Sequence, residues 1–301
     1  MFSNLLVPLD GSKLAESVLP VVKRLATLFP CEVKLLHVIE KGAPSTVHGD
    51  VHLRDVREAE LYLEAIAERL RAKGIKAGVH VHSVPEGDVP KSIADHADEL
   101  GQDLIVICAH GSGGIRRFVF GSNAEQVLSH GDTEVMLVKA DPHGNPPAFG
   151  PESIVALLGQ DPENESVLAA GAEFAIRAGA GLHLLYVVPT AETVAPPEAP
   201  SGRIAPGATR LLLHMEAEEV ANSVRDRIAE LRSRNIEADG RVERGEIEAA
   251  IIGMAGRTRA DLIILATRGL AGLSAFWANA AVPRIAAEYD GIMLLVPGKK
   301  S

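Results

Sequence analysis

The sequence predicts an α/β protein built as a tandem repeat of two doubly wound domains, each with a five-stranded parallel sheet. Three observations predict this fold. The chain has 301 residues, about twice the length of a common domain. Segments of the first half recur in the second half in the same order. Within each half, short apolar runs alternate with segments of helical periodicity, a pattern typical of parallel sheets with right-handed crossovers.

Four pairs of similar segments carry the repeat. They are VKLLHVIE (33–40) with LHLLYVVP (182–189), LRAKGIKA (70–77) with LRSRNIEA (231–238), QDLIVICAHG (102–111) with ADLIILATRG (260–269), and VMLVKA (135–140) with IMLLVPG (292–298). Because their order is the same in both halves, we interpret the chain as a tandem duplication.

The strands of the first half are predicted at 4–10, 32–40, 76–83, 103–109 and 134–139. Runs such as NLLVPLD and LIVIC are almost continuously apolar, which is typical of strands covered on both faces. Between the second and third strands, LYLEAIAERLRAKG has apolar residues at helical spacing and ends at Gly74, a residue typical of helix ends.

A proline-rich segment separates the two halves. Residues 141–151 read DPHGNPPAFGP, and prolines at this density prevent a continuing helix or a central strand. We therefore expect a first domain at 1–140, a linker at 141–151 and a second domain at 152–301. A second proline-rich stretch, 189–206, is interpreted as an insertion after the second strand of the second half.

Composition narrows the class of protein. A formal charge of −10 argues against a broad surface for nucleic acid or anionic membranes, and no apolar run approaches the roughly 20 residues of a membrane span. The N-terminal residues show no basic leader or cleavage site. Two cysteines, Cys31 and Cys108, fit a reducing compartment. We expect a cytoplasmic protein that binds neither nucleic acid nor membranes.

A glycine-rich loop follows the fourth predicted strand, in the sequence AHGSGGIRRFVFGSNAEQVL (109–128). Ligands of doubly wound sheets bind beyond the carboxyl ends of the strands, where the strand order reverses. Glycines let main-chain N–H groups face an anion, and the helix that starts near Gly121 offers further N–H groups. This pattern predicts a phosphate loop. The alternative is that Ser122 or Asn123 only caps the helix and the glycines only form a turn.

Known phosphate fingerprints do not match this loop. The chain has no G-x-x-x-x-G-K-[ST] sequence, and Arg116 stands where a dinucleotide fingerprint has its third glycine. The loop instead resembles that of the universal stress protein family in its tandem form, written G-x-x-G, nine residues, then G-[ST]. Gly111, the nine residues 112–120 and Gly121-Ser122 match this pattern, whereas Cys108 stands at the first glycine.

Two further segments carry the resemblance. LLVPLDGS (5–12) is similar to the first strand of the family, whose aspartate, here Asp10, lies near the nucleoside. A carboxylate there accepts hydrogen bonds from ribose hydroxyls or a base amino group. LLHVIE (35–40) is similar to the second strand, where the main chain at Val38 meets adenine. The alternative for Asp10 is a helix-capping or turn aspartate.

The resemblance implies the adenine nucleotide alpha hydrolase-like strand order 3-2-1-4-5. It also implies pairing of the two halves through their last strands, an intrachain pseudo-dimer, with a homodimer of two chains left open. The implied function is a stress-response protein whose first domain binds ATP, or AMP or ADP, with Mg²⁺ as a further candidate. The implied ligand-binding residues are Pro8, Leu9, Asp10, Val38, Cys108, Gly111, Gly121, Ser122 and Asn123.

The second half departs from the motif. Ala266 stands at the first glycine, Asn279-Ala280 replaces Gly-Ser, and Leu158 is aligned with Asp10. We therefore expect the second domain to keep the scaffold without binding nucleotide in the same way. Arg244 and Arg268 are weaker candidates for an anion. The apolar segment 269–282, which contains Trp277, is interpreted as packing rather than as a ligand groove.

Two other functions stay open at this point. One is a slow ATPase or related transferase on the same scaffold, and the other is a nucleotide-free interaction module in which Cys108 closes the pocket. No catalytic residue is assigned. The pairs His48/His52, spaced for one helix face, and His80/His82, spaced for one sheet face, lack the third ligand of a zinc site, so no metal site is assigned.

Overall fold

The computed structural model describes residues 2–47, 49–109, 122–141, 144–159, 164–188, 190, 206–267 and 281–297. Within these ranges, no helix is both long and apolar enough to span a membrane. The chain divides into two compact units. Unit 1 comprises Met1–Gly150 with Asp290–Pro297, and unit 2 comprises Pro151–Tyr289 with Gly298–Ser301.

Unit 1 alternates strands and helices along the chain. Its strands are β1 (Asn4–Pro8), β2 (Glu32–Glu40), β3 (Thr46–Val47), β4 (Asp50–Val51), β5 (Ala77–Glu86), β6 (Leu104–Ala109) and β7 (Glu134–Lys139). Its helices are α1 (Lys13–Glu16), α2 (Leu19–Leu28), α3 (Val56–Arg71), α4 (Val89–Glu99) and α5 (Ser122–His130).

The main sheet of unit 1 has the strand order β5-β2-β1-β6-β7, and all of these pairs are parallel. In sequence order this is 3-2-1-4-5, as the resemblance implied. The last strand of the chain, β12 (Ile292–Val296), also lies in unit 1 and runs antiparallel to β7, with Ile292 opposite Val138. The order of the parallel strands reverses between β1 and β6, so the ligand crevice of this fold lies at their carboxyl ends.

The core follows from the apolar runs. Leu5, Leu6 and Val7 of β1 are completely buried, as expected for a central strand covered by helices on both faces. Helix α3 buries one apolar stripe, and Asp55 caps its first turn by accepting hydrogen bonds from the N–H groups of Arg57 and Glu58. Gly74 follows this helix with a φ of +78°, a left-handed conformation that favours glycine.

Unit 2 repeats the pattern. Its strands are β8 (Ser153–Leu158), β9 (Gly181–Val188), β10 (Ala238–Arg244) and β11 (Leu262–Ala266), and its helices are α6 (Asn164–Ala178), α7 (Pro206–Ser233), α8 (Ile247–Thr258) and α9 (Ala281–Glu288). The four strands have the parallel order β10-β9-β8-β11. With β12, the second half of the sequence supplies five strands. The predicted α/β fold, a tandem repeat with doubly wound parallel sheets, is confirmed.

A small hairpin was not predicted. Between β2 and α3, the strands β3 and β4 pair antiparallel, with Thr46 opposite Val51. The carboxylate of Asp50 accepts a hydrogen bond from the N–H of Lys13 at 2.9 Å, which fastens this hairpin to the start of α1. The hairpin thereby lies beside the carboxyl end of β1.

Candidate functional site

A cavity of about 600 Å³ lies in unit 1 at the carboxyl ends of β1, β2 and β6, where the strand order reverses. Five of the residues expected to bind a ligand line it together: Pro8, Leu9, Asp10, Val38 and Cys108. The expected residues Gly111 and Gly121 lie outside the described residues. Ser122 and Asn123 begin α5, whose Ala124 and Gln126 line the cavity.

Asp10 forms a local turn as well as lining the cavity. Its Oδ1 accepts hydrogen bonds from the N–H of Ser12 at 2.9 Å and from the Ser12 hydroxyl at 2.7 Å. The Ser12 Oγ in turn accepts from the N–H of Ala15 at 3.0 Å and caps α1. The turn interpretation of Asp10 is therefore correct for Oδ1. Within the described part of the chain both bonds end on this one oxygen, which leaves Oδ2 to accept from a ligand.

The edge of β2 borders the cavity at Val38. The ladder between β1 and β2 ends at the pair Pro8–Leu36, two residues before Val38. On the other side of β2, the pairing with β5 shifts register directly after Val38, from its pair with His82 to the pair Glu40–Glu86. This main chain therefore extends beyond the regular pairing with β1, beside the cavity.

Cys108 occupies the position of the expected glycine without filling the cavity. Its side chain is buried in the wall, and the hydroxyl of Ser17 donates a hydrogen bond to Sγ at 3.4 Å. Burial raises the pKa of the Cys108 thiol above its ordinary value, and the hydrogen bond from Ser17 lowers it by less. The thiol is therefore protonated near neutral pH.

Two histidines that the sequence did not mark as ligand-binding line the same cavity. The buried ring of His37 has Nδ1 at 2.7 Å from the carbonyl oxygen of Leu9 and Nε2 at 3.1 Å from that of Leu53. His52 follows β4 and is not on a helix, so the shared helix face expected for His48 and His52 is wrong for His52, while His48 lies outside the described residues. Its Nε2 lies 3.8 Å from Oε2 of Glu40.

Charge is distributed unevenly around the cavity. Three carboxylates line it, those of Asp10, Glu40 and Asp88, and among the described lining residues there is no lysine or arginine. These walls therefore suit hydroxyl and amino donors. The start of α5 instead suits an anion, because the N–H groups in the first turn of a helix have no partner within the helix and carry partial positive charge. The first turn of this nine-residue helix reaches the cavity through Ala124.

The pair His80/His82 lies on one face of β5, as its spacing predicted. Both rings pack against the buried His96 of α4, with ring centroids 4.9 and 5.0 Å apart. Nδ1 of His96 lies 2.7 Å from the carbonyl oxygen of Ser92. Over the part of the chain that is described, no group of three or more His, Cys, Asp or Glu side chains could hold a metal ion. The three rings pack against one another between α4 and β5.

The pairing of equivalent strands shows which residues of unit 2 correspond to those of unit 1. It corrects the alignment of the first strand that was made from sequence. Leu5 pairs with Leu104 in unit 1, and Ile154 pairs with Leu262 in unit 2. Leu104 and Leu262 each follow an aspartate in the repeated segment, so Ile154 is the counterpart of Leu5.

Counting from this pair, Leu158 is the counterpart of Leu9, and Gly159 is the counterpart of Asp10. The alignment of Leu158 with Asp10 was wrong by one residue, because an apolar run carries no internal mark of register. Unit 2 nevertheless lacks the carboxylate, since glycine has no side chain. Ala266, the counterpart of Cys108, is buried at the end of β11.

Comparison with known proteins agrees with this architecture. Residues 1–139 and 152–281 each match the universal stress protein family. Universal stress protein YxiE of Bacillus subtilis is 28% identical over 148 residues, which cover 46% of this chain and 100% of YxiE. A region of about half this chain thus corresponds to the full length of YxiE.

A solved structure shows the same fold along nearly the whole chain. A universal stress protein from Archaeoglobus fulgidus covers 98% of this chain and 96% of its own, with a TM-score of 0.70 and 17% identity. A universal stress protein from Archaeoglobus fulgidus in complex with dAMP covers 46% of this chain and 97% of its own, with a TM-score of 0.33 and 26% identity. Since the family matches both halves of the sequence, the chain belongs to the universal stress protein family.

Proposed function

We propose that unit 1 binds an adenine nucleotide, specifically ATP, in the cavity at the carboxyl ends of β1, β2 and β6. The chain then serves as a nucleotide-binding stress-response protein in which unit 2 has a structural or regulatory role. One observation carries the proposal. The carboxylate of Asp10, the main chain of β2 beyond its pairing with β1, and the first turn of α5 all line one cavity of about 600 Å³. A nucleotide needs these three kinds of group for its ribose, base and phosphates.

Each part of the nucleotide has a matching wall. Ser12 donates two hydrogen bonds to Oδ1 of Asp10, and we assign Oδ2 as the acceptor for a ribose hydroxyl. Val38 lines the cavity from β2, and the apolar residues Leu36 and Val47 line it as well, which suits a base. The partial positive charge at the start of α5 suits the phosphates. The ligand therefore lies with its base towards β2 and its phosphates towards α5.

Mg²⁺ enters this proposal only as a companion of the nucleotide. Mg²⁺ in nucleotide sites is commonly held by phosphate oxygens, and we assign it that coordination here. Asp10 accepts two hydrogen bonds from Ser12. In the proposed arrangement it contacts the nucleoside and is far from the terminal phosphate. We therefore propose binding as the function and assign no catalytic residue.

The proposal is tested by isothermal titration calorimetry of the full chain with ATP, ADP and AMP, with and without Mg²⁺. Asp10→Asn is the informative variant, because the amide oxygen still accepts from Ser12 while the second acceptor becomes a donor. We expect its affinity for ATP to fall about tenfold, which corresponds to the loss of one charge-assisted hydrogen bond, about 1.4 kcal/mol.

Asp50→Asn is the matched control, since this carboxylate binds the N–H of Lys13 and does not line the cavity. Its affinity should equal that of the unchanged chain. The absence of binding and of thermal stabilisation by all three nucleotides in the unchanged chain would refute the proposal.

A further inference from the structure

Three histidine rings meet between α4 and β5. His96 is at the centre, with the ring centroid of His80 at 4.9 Å and that of His82 at 5.0 Å from its own. His96 is buried, and its Nδ1 lies 2.7 Å from the carbonyl oxygen of Ser92. A carbonyl oxygen only accepts hydrogen bonds, so Nδ1 carries the proton of the neutral ring. His80, His82 and His96 are called the histidine cluster below.

The histidine cluster has no counter-charge of its own. His52, His130 and His183 each have a carboxylate oxygen at 3.8 Å or less from a ring nitrogen. Within the part of the chain that the structure describes, no carboxylate comes as close to any ring of the cluster. A proton on the cluster therefore lacks the stabilisation that it has on those three histidines.

The charges around the cluster also disfavour a proton. Burial lowers the pKa of His80 below its ordinary value of 6.5, and the positive charges of His96, Lys34 and His82 lower it further. Glu99 of α4 has a smaller effect in the opposite direction. The other charged side chains around the cluster, on α4, β5, β2 and α5, already have partners, in the pairs Lys91–Asp95, Asp88–His130, Asp98–Thr133, Glu86–Gly87, Glu40–His52 and Glu32–Lys76.

The histidine cluster adjoins the wall of the cavity. On α4, Ile93 lines the cavity and precedes His96 by three residues, so both lie on one side of the helix. On β5, His82 pairs with Val38, which lines the cavity from β2. Paired residues of neighbouring strands point to the same side of the sheet. A movement of α4 away from β5 therefore displaces a wall of the cavity.

Unit 2 packs the corresponding helix without a histidine. Gly101 follows α4 and Arg259 follows α8, and both have a positive φ, which marks them as equivalent positions. Counting back five residues from each, Met254 is the counterpart of His96. Met254 is buried, as His96 is. The fold therefore accepts an apolar side chain at the centre of this contact.

The strand positions differ between the units as well. Strand pairing places Arg241 and Glu243 of β10 at the positions of His80 and His82, since their partners in β9 and β2 occupy equivalent places in the repeated segments. Glu243 forms an ion pair with Arg257 of α8. Neither arginine nor an ion-paired glutamate changes its charge between about pH 5 and pH 8. The titratable version of this contact thus belongs to the unit that has the cavity.

We propose that the histidine cluster is a pH-sensitive joint, whose protonation separates α4 from β5 and thereby weakens ligand binding in the cavity of unit 1. The second step rests on the proposed function. At neutral pH histidine rings are mostly uncharged and pack without repulsion. In acid, protons on neighbouring rings place like charges 4.9 and 5.0 Å apart. Because separated histidines bind protons more readily than the packed His80, the closed joint loses stability as the pH falls below 6.5.

Hydrogen–deuterium exchange of the full chain without nucleotide tests the joint itself, at pH 7.5 and pH 5.5. After correction for the pH dependence of the intrinsic exchange rate, we expect exchange in peptides of α4 and β5 to be about tenfold faster at the lower pH. Peptides of α8 and β10 are the internal control, and their corrected rates should differ by less than about threefold.

His96→Met gives α4 the residue that α8 has at the same position, so this variant should fold. It should reduce the effect of pH on α4 and β5 to about threefold or less, because the central ring is gone. His80→Gln/His82→Gln, at two half-buried positions, should have the same effect and covers the case in which His96→Met does not fold. His183→Gln removes a histidine of unit 2 and should retain the full effect.

Calorimetry with ATP at the same two pH values tests the link between the joint and the cavity. From pH 7.5 to pH 5.5, we expect the affinity of the unchanged chain to fall about tenfold more than that of His96→Met. Protonation of ATP itself does not affect this comparison, since the ligand is the same for both proteins.

The two measurements have separate failures. If exchange in α4 and β5 is not faster at pH 5.5, or is accelerated equally in His96→Met and in His80→Gln/His82→Gln, the joint is wrong. If the joint opens but affinity falls equally in the unchanged chain and in His96→Met, its link to the cavity is wrong. If the unchanged chain binds no ATP at pH 7.5, the proposed function is wrong and the link with it, while the exchange measurement still decides the joint.

Discussion

The hydroxyl of Ser17 donates a hydrogen bond to the thiol of Cys108 over 3.4 Å. This bond holds the sulfur in the wall of the cavity at the one position where the sequence departs from the family pattern. The cavity retains about 600 Å³ with the thiol in place. A cysteine at this position is therefore compatible with an open pocket, which disfavours the interpretation that Cys108 closes it.

Replacing this thiol tests that conclusion. If Cys108 only forms part of the wall, Cys108→Ala should bind ATP with an affinity within about threefold of the unchanged chain, because the ligand loses little contact. The measurement is calorimetry of both proteins side by side. An increase in affinity of tenfold or more would show instead that the sulfur obstructs the nucleotide.

The two cysteines should react slowly with thiol reagents in the folded chain. Burial raises the pKa of Cys31 to about 11 and also raises the pKa of Cys108, so little thiolate exists at pH 8. We expect both to react with a disulfide reagent much more slowly than free glutathione, and at a normal rate after unfolding. Saturating ATP should slow Cys108 further while leaving Cys31 unchanged. A fast reaction of Cys108 in the folded chain would contradict its buried position.

Gly11 allows the hairpin to approach the first strand. Its φ is +93°, and a Cβ there would lie 2.8 Å from Cγ of Leu53 and 3.3 Å from the carbonyl oxygen of Val51. We predict that Gly11→Ala lowers the free energy of unfolding by about 2–3 kcal/mol, through backbone strain and this clash together.

Gly42→Ala measures the cost of the left-handed backbone conformation without a steric clash. Gly42 has a φ of +73°, and a Cβ there would meet nothing within 4 Å. Its substitution should cost only about 1 kcal/mol, the cost of a left-handed conformation alone. Chemical denaturation of both variants gives the comparison, and equal losses of stability would mean that the contact with Leu53 contributes nothing.

Glu134 makes stability depend on pH. It begins β7, and burial, with a smaller contribution from the negative charge of Asp103, raises its pKa to about 7 from 4.5. Because the pKa is higher in the folded chain, the folded state binds the extra proton between about pH 4.5 and pH 7. The free energy of unfolding contributed by this group therefore falls as pH rises through that window.

Glu134→Gln removes the titrating proton while keeping the shape of the side chain. We expect it to be more stable than the unchanged chain by about 1–3 kcal/mol at pH 8, and equally stable at about pH 4, below the window. Glu60→Gln, at an exposed position of α3, should show no such difference at either pH. Denaturation curves that show the same gain for Glu134→Gln at both pH values would contradict the raised pKa.

The sequence was sufficient to place the strands that form the walls of the site. Strands predicted at 32–40 and 134–139 coincide with β2 and β7, and the others differ by up to three residues at their ends. These runs are apolar because they are covered on both faces, so their composition alone marks them. Asp10, Val38 and Cys108 were identified through the resemblance to the family and not through composition, and all three line one cavity of the structure.

What the sequence could not provide depends on contacts between distant residues. The hairpin of β3 and β4 has strands of two residues each, too short for any periodicity. His37 is marked only as a histidine in an apolar strand, and its partners Leu9 and Leu53 are 28 and 16 residues away. The one-residue error at Leu158 arose because only strand pairing, and not composition, defines register.

Hydrogen–deuterium exchange of the full chain, with and without saturating ATP, shows which of the two units binds the nucleotide. We predict slower exchange with ATP in peptides that cover 8–17, 36–40 and 104–109 of unit 1, and unchanged exchange in 154–159 and 181–188 of unit 2. Equal protection of the corresponding peptides in both units, or protection in neither, would contradict nucleotide binding by unit 1 alone.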